Sequence, residues 1–388
     1  MRSVAEYVGF IDGCCKYVLK TIVNKKMFLK LLTKKIIKRY RLNRRRKISI
    51  DLAKKHTNSF VLSKKQVNEI NTFYNPYIKV SSISHNYYTE KTGFFYKEYI
   101  PEDIYFCYID PYFNPPEAAK WIDNKCYYSM LFPNTKMPEC VALRLNGLWY
   151  VGDRITGKIV EPSTITSILE QQKEVFVKVA RESYGGKGVK YLCKNEANYI
   201  TEFWDFINNT EEDIVVQKVI VQHPELSTIN PSSVNTLRFF SILYEKEVKI
   251  YSIILRMGIH GAKVDNASSG GITCGVELDG KLKHFGYYSY SQSGKRMTVH
   301  PTSGIPFDSV VVPSLDKAIE MVKRLHPYLP HFRMVSWDIA IDQDGDPVLI
   351  EANLNRGEID FHQLNNGPLF GEDTEMVLNE VFEISNNK

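Results

Sequence analysis

Two carboxylates and an amide near the C-terminal end of the sequence could together hold a metal ion. Asp338 and Glu351 lie in two predicted strands, WDIAI and PVLIEAN, which are joined by the turn DQDGD. Because side chains alternate along a strand, both carboxylates can share one face of a hairpin with Asn353. Their oxygens are the hard ligands that Mg²⁺ accepts when it also binds nucleotide phosphates. A solvated turn is the alternative, but PVLIEANL places Glu351 among apolar residues, where an unpaired charge is costly.

A glycine-rich loop follows the strand-like run EVFVKV. It contains Gly185, Gly186, Lys187 and Gly188 and could bind phosphate through backbone N–H groups, although paired glycines also occur in ordinary turns. A P-loop needs a hydroxyl residue directly after its lysine, whereas Gly188 and Val189 follow Lys187 here. The GxGxxG spacing of a dinucleotide site is also absent. Phosphate binding by this loop therefore needs support from the rest of the chain.

Helix and strand patterns alternate around these residues. The apolar spacing predicts a helix around 163–172, the strand EVFVKV, a helix over YITEFWDFINN and the strand DIVVQKVI. The runs TLRFFSILYE and VKIYSIILRMG predict a hairpin, and a helix is predicted over 315–326. Because no linker interrupts 121–388, we interpret this range as one catalytic domain. The range 51–120 contains many aromatic residues but no motif, and it predicts an irregular N-terminal α+β segment.

Residues 1–50 form a strongly basic arm that precedes a mildly acidic body. The arm contains fifteen Lys/Arg and two acidic residues, a net charge of +13, whereas the remaining residues have a net charge of −7 and the whole chain +6. A helix would place the interleaved apolar residues on one broad face, which Lys35 interrupts. A basic helix packed on the body and attachment to an anionic membrane surface through 16–47 both fit this pattern. Nucleic-acid binding is a third interpretation, and we expect no nucleic acid among the partners.

Composition and cysteine content favour a cytoplasmic protein. A hydrophobic fraction of 44% and a charged fraction of 24% are ordinary for a soluble chain. No apolar run reaches the roughly 18 residues of a spanning helix, and the N-terminus shows no secretory signal. The seven cysteines are odd in number without a CxxC pair, which fits neither a disulfide framework nor a zinc ribbon. The expected location is the cytoplasm, or the inner face of the membrane if the arm binds lipid.

The order of the motifs resembles the ATP-grasp superfamily. The strings VFVKVARESYGGKGV, IVVQKVI, NTLRFFSI, ILRMG, DNASSGG and WDIAI with LIEANLNRG follow one another through most of 121–388. The strings HPELSTINPSSVNTLRFF, DNASSGGI and IEANLNRGEIDFHQLNNGPLFG are similar to the sugar-transfer-associated ATP-grasp group, which is found with bacterial surface-polysaccharide genes. The resemblance implies an α+β ATP-grasp fold, in which two α+β subdomains grip ATP between them, with the basic arm as an N-terminal helical addition.

The resemblance also implies which residues bind the nucleotide. Lys178 would contact the α and β phosphates, with Lys125 as a second candidate from the preceding helix. The backbone of the glycine loop would close over the β and γ phosphates. The adenine hinge would contain a residue at which many relatives have Glu, so the side-chain role of that position, Gln217, is in doubt. The implied loop and hinge residues are Ser183, Gly185, Gly186, Lys187 and Gly188, and Gln217, Lys218, Val219 and Ile220.

The remaining implied residues would neutralise charge during phosphoryl transfer. Arg238 and Arg256 would act on the transferring group, although cross-strand polar pairing is the alternative for each. Asn266 would join the predicted metal ligands Asp338, Glu351 and Asn353 around one or two Mg²⁺. The nearby histidines, at 260, 284 and 362, are possible substrate contacts to which we assign no catalytic role.

The function implied by the resemblance is ATP- and Mg²⁺-dependent ligation of a carboxylate to an amine through an acyl phosphate. The expected partners are ATP, a carboxylate donor and an amine acceptor, such as an amino acid and an amino sugar or glycan of a bacterial surface polysaccharide. Positioning and charge neutralisation dominate such chemistry, and the sequence shows no Ser/His/Asp or Cys/His arrangement for an acyl-enzyme. A kinase acting on a sugar hydroxyl and a non-catalytic nucleotide-binding scaffold at the membrane are the alternatives.

Overall fold

Two antiparallel sheets and a layer of N-terminal helices form the described part of the chain. The computed structural model describes residues 33, 36–37, 39–48, 50–51, 55, 60–181, 188–263, 265, 270–289, 292–355 and 357–384, with the backbone alone at 120 and 121.

The first sheet has six strands. In chain order, β1 to β6 are Cys140–Leu145, Leu148–Val151, Lys158–Val160, Glu174–Val179, Val189–Cys193 and Ile214–Lys218. Their spatial order is β3-β2-β1-β6-β4-β5, and every neighbouring pair is antiparallel. The predicted helices on either side of β4 are confirmed as Pro162–Leu169 and Tyr199–Asn208, and both pack on the face that contains Val175 and Val177. Because side chains alternate along β4, Phe176 and Lys178 lie on the opposite face.

The second sheet has seven strands. In chain order, β7 to β13 are Thr236–Tyr244, Glu247–Met257, Ile272–Val276, Leu282–Tyr288, Arg296–Met297, Met334–Ile341 and Pro347–Asn353. Their order is β11-β10-β9-β8-β7-β12-β13, again antiparallel, and the two predicted hairpins, β7–β8 and β12–β13, are confirmed. Trp337 and Ile339 pack in the core beneath the helix Leu315–Leu325. Asp338, between them on β12, therefore lies on the other face of the sheet.

Helices cover the face of the second sheet that lies opposite this core. Their bounds are Lys64–Tyr74, Ile83–Thr92, Glu102–Ile104 and Asp110–Phe113, with a π-helical turn at Tyr105–Ile109. The next helix, Pro116–Ile122, instead packs through Ala119 on the core that contains Trp337. Ile104 and Ile109 share a core with Phe240, Ile242 and Met334 of the sheet. The layer is thus packed on the body of the protein.

The strand content expected for 51–120 is wrong wherever the structure describes that range, because residues 60–120 contain helices and no strand. Aromatic residues favour strands by propensity alone, but propensity yields to packing. In the helix Lys64–Tyr74, for example, Ile70, Phe73 and Tyr74 recur at helical spacing and are buried together.

Further short elements lie around the two sheets. They are the helical turns Lys125–Tyr127 and Tyr128–Leu131 and the helices Pro224–Ile229, Asp360–Asn366 and Thr374–Val381. Among the described helices, none combines the length and the apolar character needed to cross a membrane. The five cysteines within the described residues are free thiols.

The segment after β6 connects the two sheets. Gln222 pairs with Asp342 in an isolated bridge at the end of β12, so the connection is attached to the second sheet. The Gln222 side chain donates to the carbonyls of Asn230 and Ser233, 2.9 Å each, and accepts from the backbone N–H of Asn235 at 3.0 Å. These bonds satisfy buried polar groups and fix the entry into β7.

Candidate functional site

A cleft lies between the two sheets and takes its lining from both. Its apolar lining consists of Pro138, Phe176, Val189, Ile220, Val234 and Ile350. Its polar lining consists of Lys125, Lys178, Lys218, Thr236, Arg256, Lys263, Asp265, Asp338 and Glu351. The cleft therefore combines an apolar part with a dense group of opposite charges.

A row of charged residues crosses three strands of the second sheet. Asp338 on β12 is the cross-strand partner of Glu351 on β13 and of Arg238 on β7. Directly paired residues project to the same side of a sheet, so the predicted sharing of one face by the two carboxylates is confirmed. Asn353 lies on this face too, with its side-chain nitrogen 3.5 Å from an Asp338 oxygen.

Asp338 is held by two arginines. Arg238 donates from Nε and Nη2 to the two carboxylate oxygens at 2.7 and 2.6 Å, and Arg256 donates from Nη1 at 3.0 Å. The Asp338 side chain is only 5% exposed. Burial alone would raise the pKa of this carboxyl, but the two guanidinium groups outweigh it and lower the pKa to about 2. Asp338 is therefore a carboxylate over the whole physiological pH range.

Arg256 lies between Asp338 and a third acid, Asp265. Its Nη2 is 3.6 Å from an Asp265 oxygen, and the other Asp265 oxygen accepts a hydrogen bond from the Thr236 hydroxyl. Thr236 and Arg256 are cross-strand partners on β7 and β8. Burial raises the pKa of Asp265, while Arg256 and the hydroxyl of Thr236 oppose that rise.

Asp265 is a site residue that the sequence motifs did not indicate, although it lies in the loop DNASSGG. Its position directly before Asn266 could have indicated it. Sequence position alone, however, does not show whether a loop carboxylate turns toward an arginine on a neighbouring strand. Asn266, the residue that the motif did indicate, lies outside the described residues.

Two lysines enter the cleft from the side of the first sheet. Lys178, at the end of β4, lies with its ammonium 5.7 Å from the ring centre of Phe176. Desolvation lowers the pKa of Lys178 to about 8, with a further contribution from the charge of Lys125, against the attraction of nearby carboxylates such as Glu351. Lys125 itself pairs with Glu351 at 2.6 Å, so this pair joins the two walls of the cleft.

The predicted hinge residues lie where β6 ends and the cleft begins. Gln217 and Lys218 are the last residues of β6, and Lys218 and Ile220 line the cleft. The Lys218 backbone N–H donates to the Glu139 carbonyl at 2.9 Å, and the Lys218 ammonium pairs with the Glu139 carboxylate at 2.7 Å. Val219 lies between Lys218 and Ile220, directly after the end of β6. A hinge role for these four residues stays a prediction.

The predicted phosphate loop falls largely outside the described residues. This applies to Ser183, Gly185, Gly186 and Lys187. Gly188 is described, and its φ of 77° lies in the left-handed region that favours glycine. Its carbonyl accepts a hydrogen bond from Val179 at 2.7 Å, so the two ends of the loop are held together at the end of β4.

The three histidines near the motifs do not belong to the cleft lining. His362 is buried and hydrogen-bonded to the Ser252 hydroxyl at 2.7 Å, and His284 pairs with Asp308 on the surface at the same distance. His260 is exposed. Their positions agree with structural or surface roles.

The donor set of the cleft suits a partly coordinated hard cation. Within the described residues, no group of three or more His, Cys, Asp and Glu side chains could hold a metal ion. Asp338, Glu351 and Asn353 offer two carboxylates and one amide oxygen on one face, so a cation here would need further oxygens from a ligand. This is how Mg²⁺ binds with nucleotide phosphates, and the residues present fit that arrangement.

Comparison with known proteins identifies the larger relationship. The model of a family described as sugar-transfer-associated ATP-grasp matches residues 108–377. No curated protein matches the chain.

Several solved structures resemble the chain weakly. D-alanyl-alanine synthetase A from Vibrio cholerae O1 is 15% identical with a TM-score of 0.38, over 70% of this chain and 67% of that one. The ATP-grasp ligase PsnB with its minimal precursor is 11% identical with a TM-score of 0.40, over 69% and 64%. An N5-carboxyaminoimidazole ribonucleotide synthetase in complex with ADP is 13% identical with a TM-score of 0.36, and the match covers 61% of this chain but only 45% of that protein. Likenesses this weak identify neither a reaction nor a substrate.

Proposed function

Because the chain belongs to the sugar-transfer-associated ATP-grasp family, we propose that it is an ATP- and Mg²⁺-dependent ligase that joins a carboxylate to an amine. The observation that supports this proposal best is the cleft between the sheets, where lysines and an arginine meet the carboxylates of Asp338 and Glu351 beside an apolar wall. ATP needs both parts of such a site. Its adenine base would pack against the apolar wall, and its phosphates would pair with the cations.

The phosphates would lie near Lys178 and Lys125. Lys178 is at the end of a strand whose neighbours Val177 and Val179 pack on the core, so the backbone from which its side chain enters the cleft is fixed. Lys125 is positioned by its own backbone N–H, which donates to the Ala180 carbonyl at 3.0 Å. Two such cations favour a polyanion strongly in a partly desolvated cleft. The adenine ring would lie against Phe176 and Ile220, close to the hinge at the end of β6.

Asp338, Glu351 and Asn353 would hold Mg²⁺. When bound, the ion supplies charge neutralisation and links the protein to the phosphate oxygens. The protein side of this site is prepared by its neighbours, because Arg238 and Arg256 keep Asp338 ionised and oriented. Asn353 donates to the Ser336 carbonyl at 3.3 Å, which fixes the amide group.

The reaction that suits this charge arrangement is phosphoryl transfer to a carboxylate. A substrate carboxylate oxygen attacks the γ-phosphorus of ATP, the bond to the β,γ-bridging oxygen breaks, and ADP leaves. The amine of the second substrate then attacks the carbonyl carbon of the acyl phosphate, an amide forms, phosphate leaves and the amine loses a proton. Arg256 would stabilise negative charge in the first step through a guanidinium that Asp338 and Asp265 hold from two sides.

The substrate class is taken from the family description alone. We propose an amino acid as one partner and an amino sugar or glycan as the other, in the modification of a bacterial surface polysaccharide or its precursor. The reaction would take place in the cytoplasm, where ATP is available.

Hydroxylamine trapping tests the proposed chemistry. In a screen of amino acids and amino sugars, the acid that stimulates ADP release should form a hydroxamate when hydroxylamine, ATP and Mg²⁺ are present, because hydroxylamine captures an acyl phosphate. Lys178→Ala should suppress hydroxamate and ADP together. Lys190→Ala is a matched control, since Lys190 lies on the adjacent strand and pairs with Glu202 of the helix Tyr199–Asn208.

The outcomes separate the alternatives. Stable transfer of phosphate to a sugar hydroxyl without release of free phosphate would replace the ligase with a kinase. ATP binding without turnover across the whole screen would support a non-catalytic scaffold.

A further inference from the structure

The ligase proposal leaves the basic arm without a role. The described part of this arm contains a helix over 39–48, here called the basic helix. One side of it packs on the N-terminal helices. Leu42 is 9% exposed and belongs to the core beneath those helices, and the Arg45 guanidinium lies 4.0 Å from the ring centre of Phe106.

A buried acid fixes the rotation of the basic helix. Arg46 pairs with Asp103 at 2.7 Å, and the Asp103 side chain is only 5% exposed. Arg46 also donates to the Lys79 carbonyl at 2.6 Å. Because a charge buried this deeply needs its partner, these bonds determine which side of the helix is turned outward.

The outward side combines cations with exposed apolar side chains. Ile36 is 60% exposed and Tyr40 is 66% exposed, and no acidic residue occurs between 13 and 50. We call this side the outer face, and its members are Ile36, Ile37, Arg39, Tyr40, Arg41, Arg44, Lys47 and Ile48, all of them exposed.

We propose that the outer face docks on an anionic lipid membrane surface. The interface of such a membrane offers negative headgroups to the four cations and acyl-chain boundary to the isoleucines and the tyrosine. Arginine suits this position because it is always charged and its guanidinium binds phosphate in two-pronged fashion. The contacts of Leu42 and Arg46 with the body would then orient the whole protein on the surface.

Charge decides against the other occupants. A second copy that presents the same face would bring four cations against four cations, which is repulsive. Nucleic acid would satisfy the cations, but its phosphate backbone leaves the exposed Ile36, Ile37 and Ile48 without apolar partners. This inference goes beyond the ligase activity and does not depend on it.

The experiment uses the full chain and vesicles of two compositions, phosphatidylcholine alone and phosphatidylcholine with phosphatidylserine. The protein should sediment with the second vesicles and stay in solution with the first, and added salt should release it because exposed charges are screened. Deleting 1–50 is a poor test, since it also removes Leu42 from the core and Arg46 from Asp103. Point substitutions on the outer face avoid this.

Two triple variants separate the two components of the outer face. Arg41→Ala/Arg44→Ala/Lys47→Ala should weaken vesicle binding on the order of tenfold or more, and Ile36→Ser/Ile37→Ser/Tyr40→Ser should weaken it as well. A control variant with the same loss of charge is Lys246→Ala/Lys281→Ala/Lys295→Ala, whose three lysines are exposed on the second sheet. The control should bind vesicles like the unmodified protein, and circular dichroism should show all three variants folded.

Several outcomes would overturn the proposal. Equal sedimentation with both vesicle compositions would do so, and so would equal weakening by the control variant. If the serine variant binds vesicles normally and duplex DNA displaces the protein from them, the outer face binds polyanions in general and the lipid assignment is wrong.

Discussion

Cations occur in two contrasting settings in this chain. At the cleft, Arg256 is buried and Arg238 is only 11% exposed, and both are bonded to the carboxylate of Asp338. Arg41 and Arg44 on the outer face are also arginines, but their side chains are exposed. A buried cation keeps a defined position because its partner and the surrounding low dielectric fix it, whereas an exposed one attracts an anionic surface over a distance that salt controls. The first setting suits phosphoryl transfer at a fixed point, and the second suits attachment to a diffuse surface.

The largest effect is expected from breaking the buried network at its centre. Asp338→Asn removes the charge that holds two arginines, so turnover should fall on the order of a thousandfold. Leaving the Arg238 guanidinium without its charged partner, and that of Arg256 with Asp265 but not Asp338, should also lower the free energy of unfolding by about 3–5 kcal/mol. Steady-state ADP release and urea denaturation measure the two effects.

Two further variants calibrate this result. Asp344→Asn changes an exposed acid in the turn of the same hairpin and should leave both measurements unchanged. Glu351→Gln should lower turnover to a similar extent with a smaller loss of stability, because Glu351 is 23% exposed and pairs with one lysine, whereas Asp338 is more deeply buried and pairs with two arginines. Near-native Mg²⁺-dependent ADP release by either Asp338→Asn or Glu351→Gln would show that the metal assignment is wrong.

A smaller effect is expected from the outer partner of Arg256. Asp265→Asn weakens one of the two contacts that orient the guanidinium, so kcat should fall on the order of tenfold to a hundredfold, with less change in KM for ATP. Thr236→Val removes the hydroxyl that bonds Asp265 and should act in the same direction. Asp279→Asn, an exposed acid in the turn between β9 and β10, is the control. A rise in KM with kcat unchanged would instead indicate that Asp265 acts in nucleotide binding.

The pKa of Lys178 predicts that activity in the cleft depends on pH, whereas binding through the outer face does not. Its pKa is lowered from 10.5 to about 8, so above that pH the folded protein loses the charge that would bind phosphate, and kcat/KM for ATP should decline. Between these two values the unfolded chain binds more protons than the folded one, so the contribution of Lys178 to stability rises with pH.

Two comparisons check the origin of this decline. Lys178→Arg keeps its charge over this pH range. If the variant retains activity, its kcat/KM for ATP should therefore not decline where that of the unmodified protein does. Vesicle binding through the arginines of the outer face should stay constant over the same pH range. A decline of both properties together would separate the pH effect from Lys178.

The smallest effect is expected from substitutions on the two sides of the basic helix. Arg46→Ala takes the partner from the buried Asp103 and should lower the free energy of unfolding by about 1–3 kcal/mol. Arg44→Ala, two positions earlier on the outer face, should change it by less than about 0.5 kcal/mol. Equal values in urea denaturation would mean that the helix does not pack on the body through Arg46.

Local patterns predicted the elements well where the chain is regular. The hairpin of β12 and β13 could be recognised because its turn lies between two apolar strands. Strict alternation from that turn would place Asp338 opposite Ile350, and only a shift in register between Asp338 and Ile339 brings Glu351 opposite Asp338. The helices on either side of β4 could be predicted from apolar spacing in the same way. The strand content expected for 51–120 is wrong over 60–120, because aromatic residues fit a strand or a helix until packing selects one.

The sequence by itself therefore determined the two hairpins, the helices on either side of β4 and the family to which the motifs belong, since these depend on patterns along the chain. Only the tertiary structure decided which distant charges meet. Lys125 reaches Glu351, Asp265 reaches Arg256, and Arg46 reaches Asp103 across 57 positions of sequence. No local spacing specifies such pairs, because each depends on how separate elements pack and on the cost of burying either charge alone.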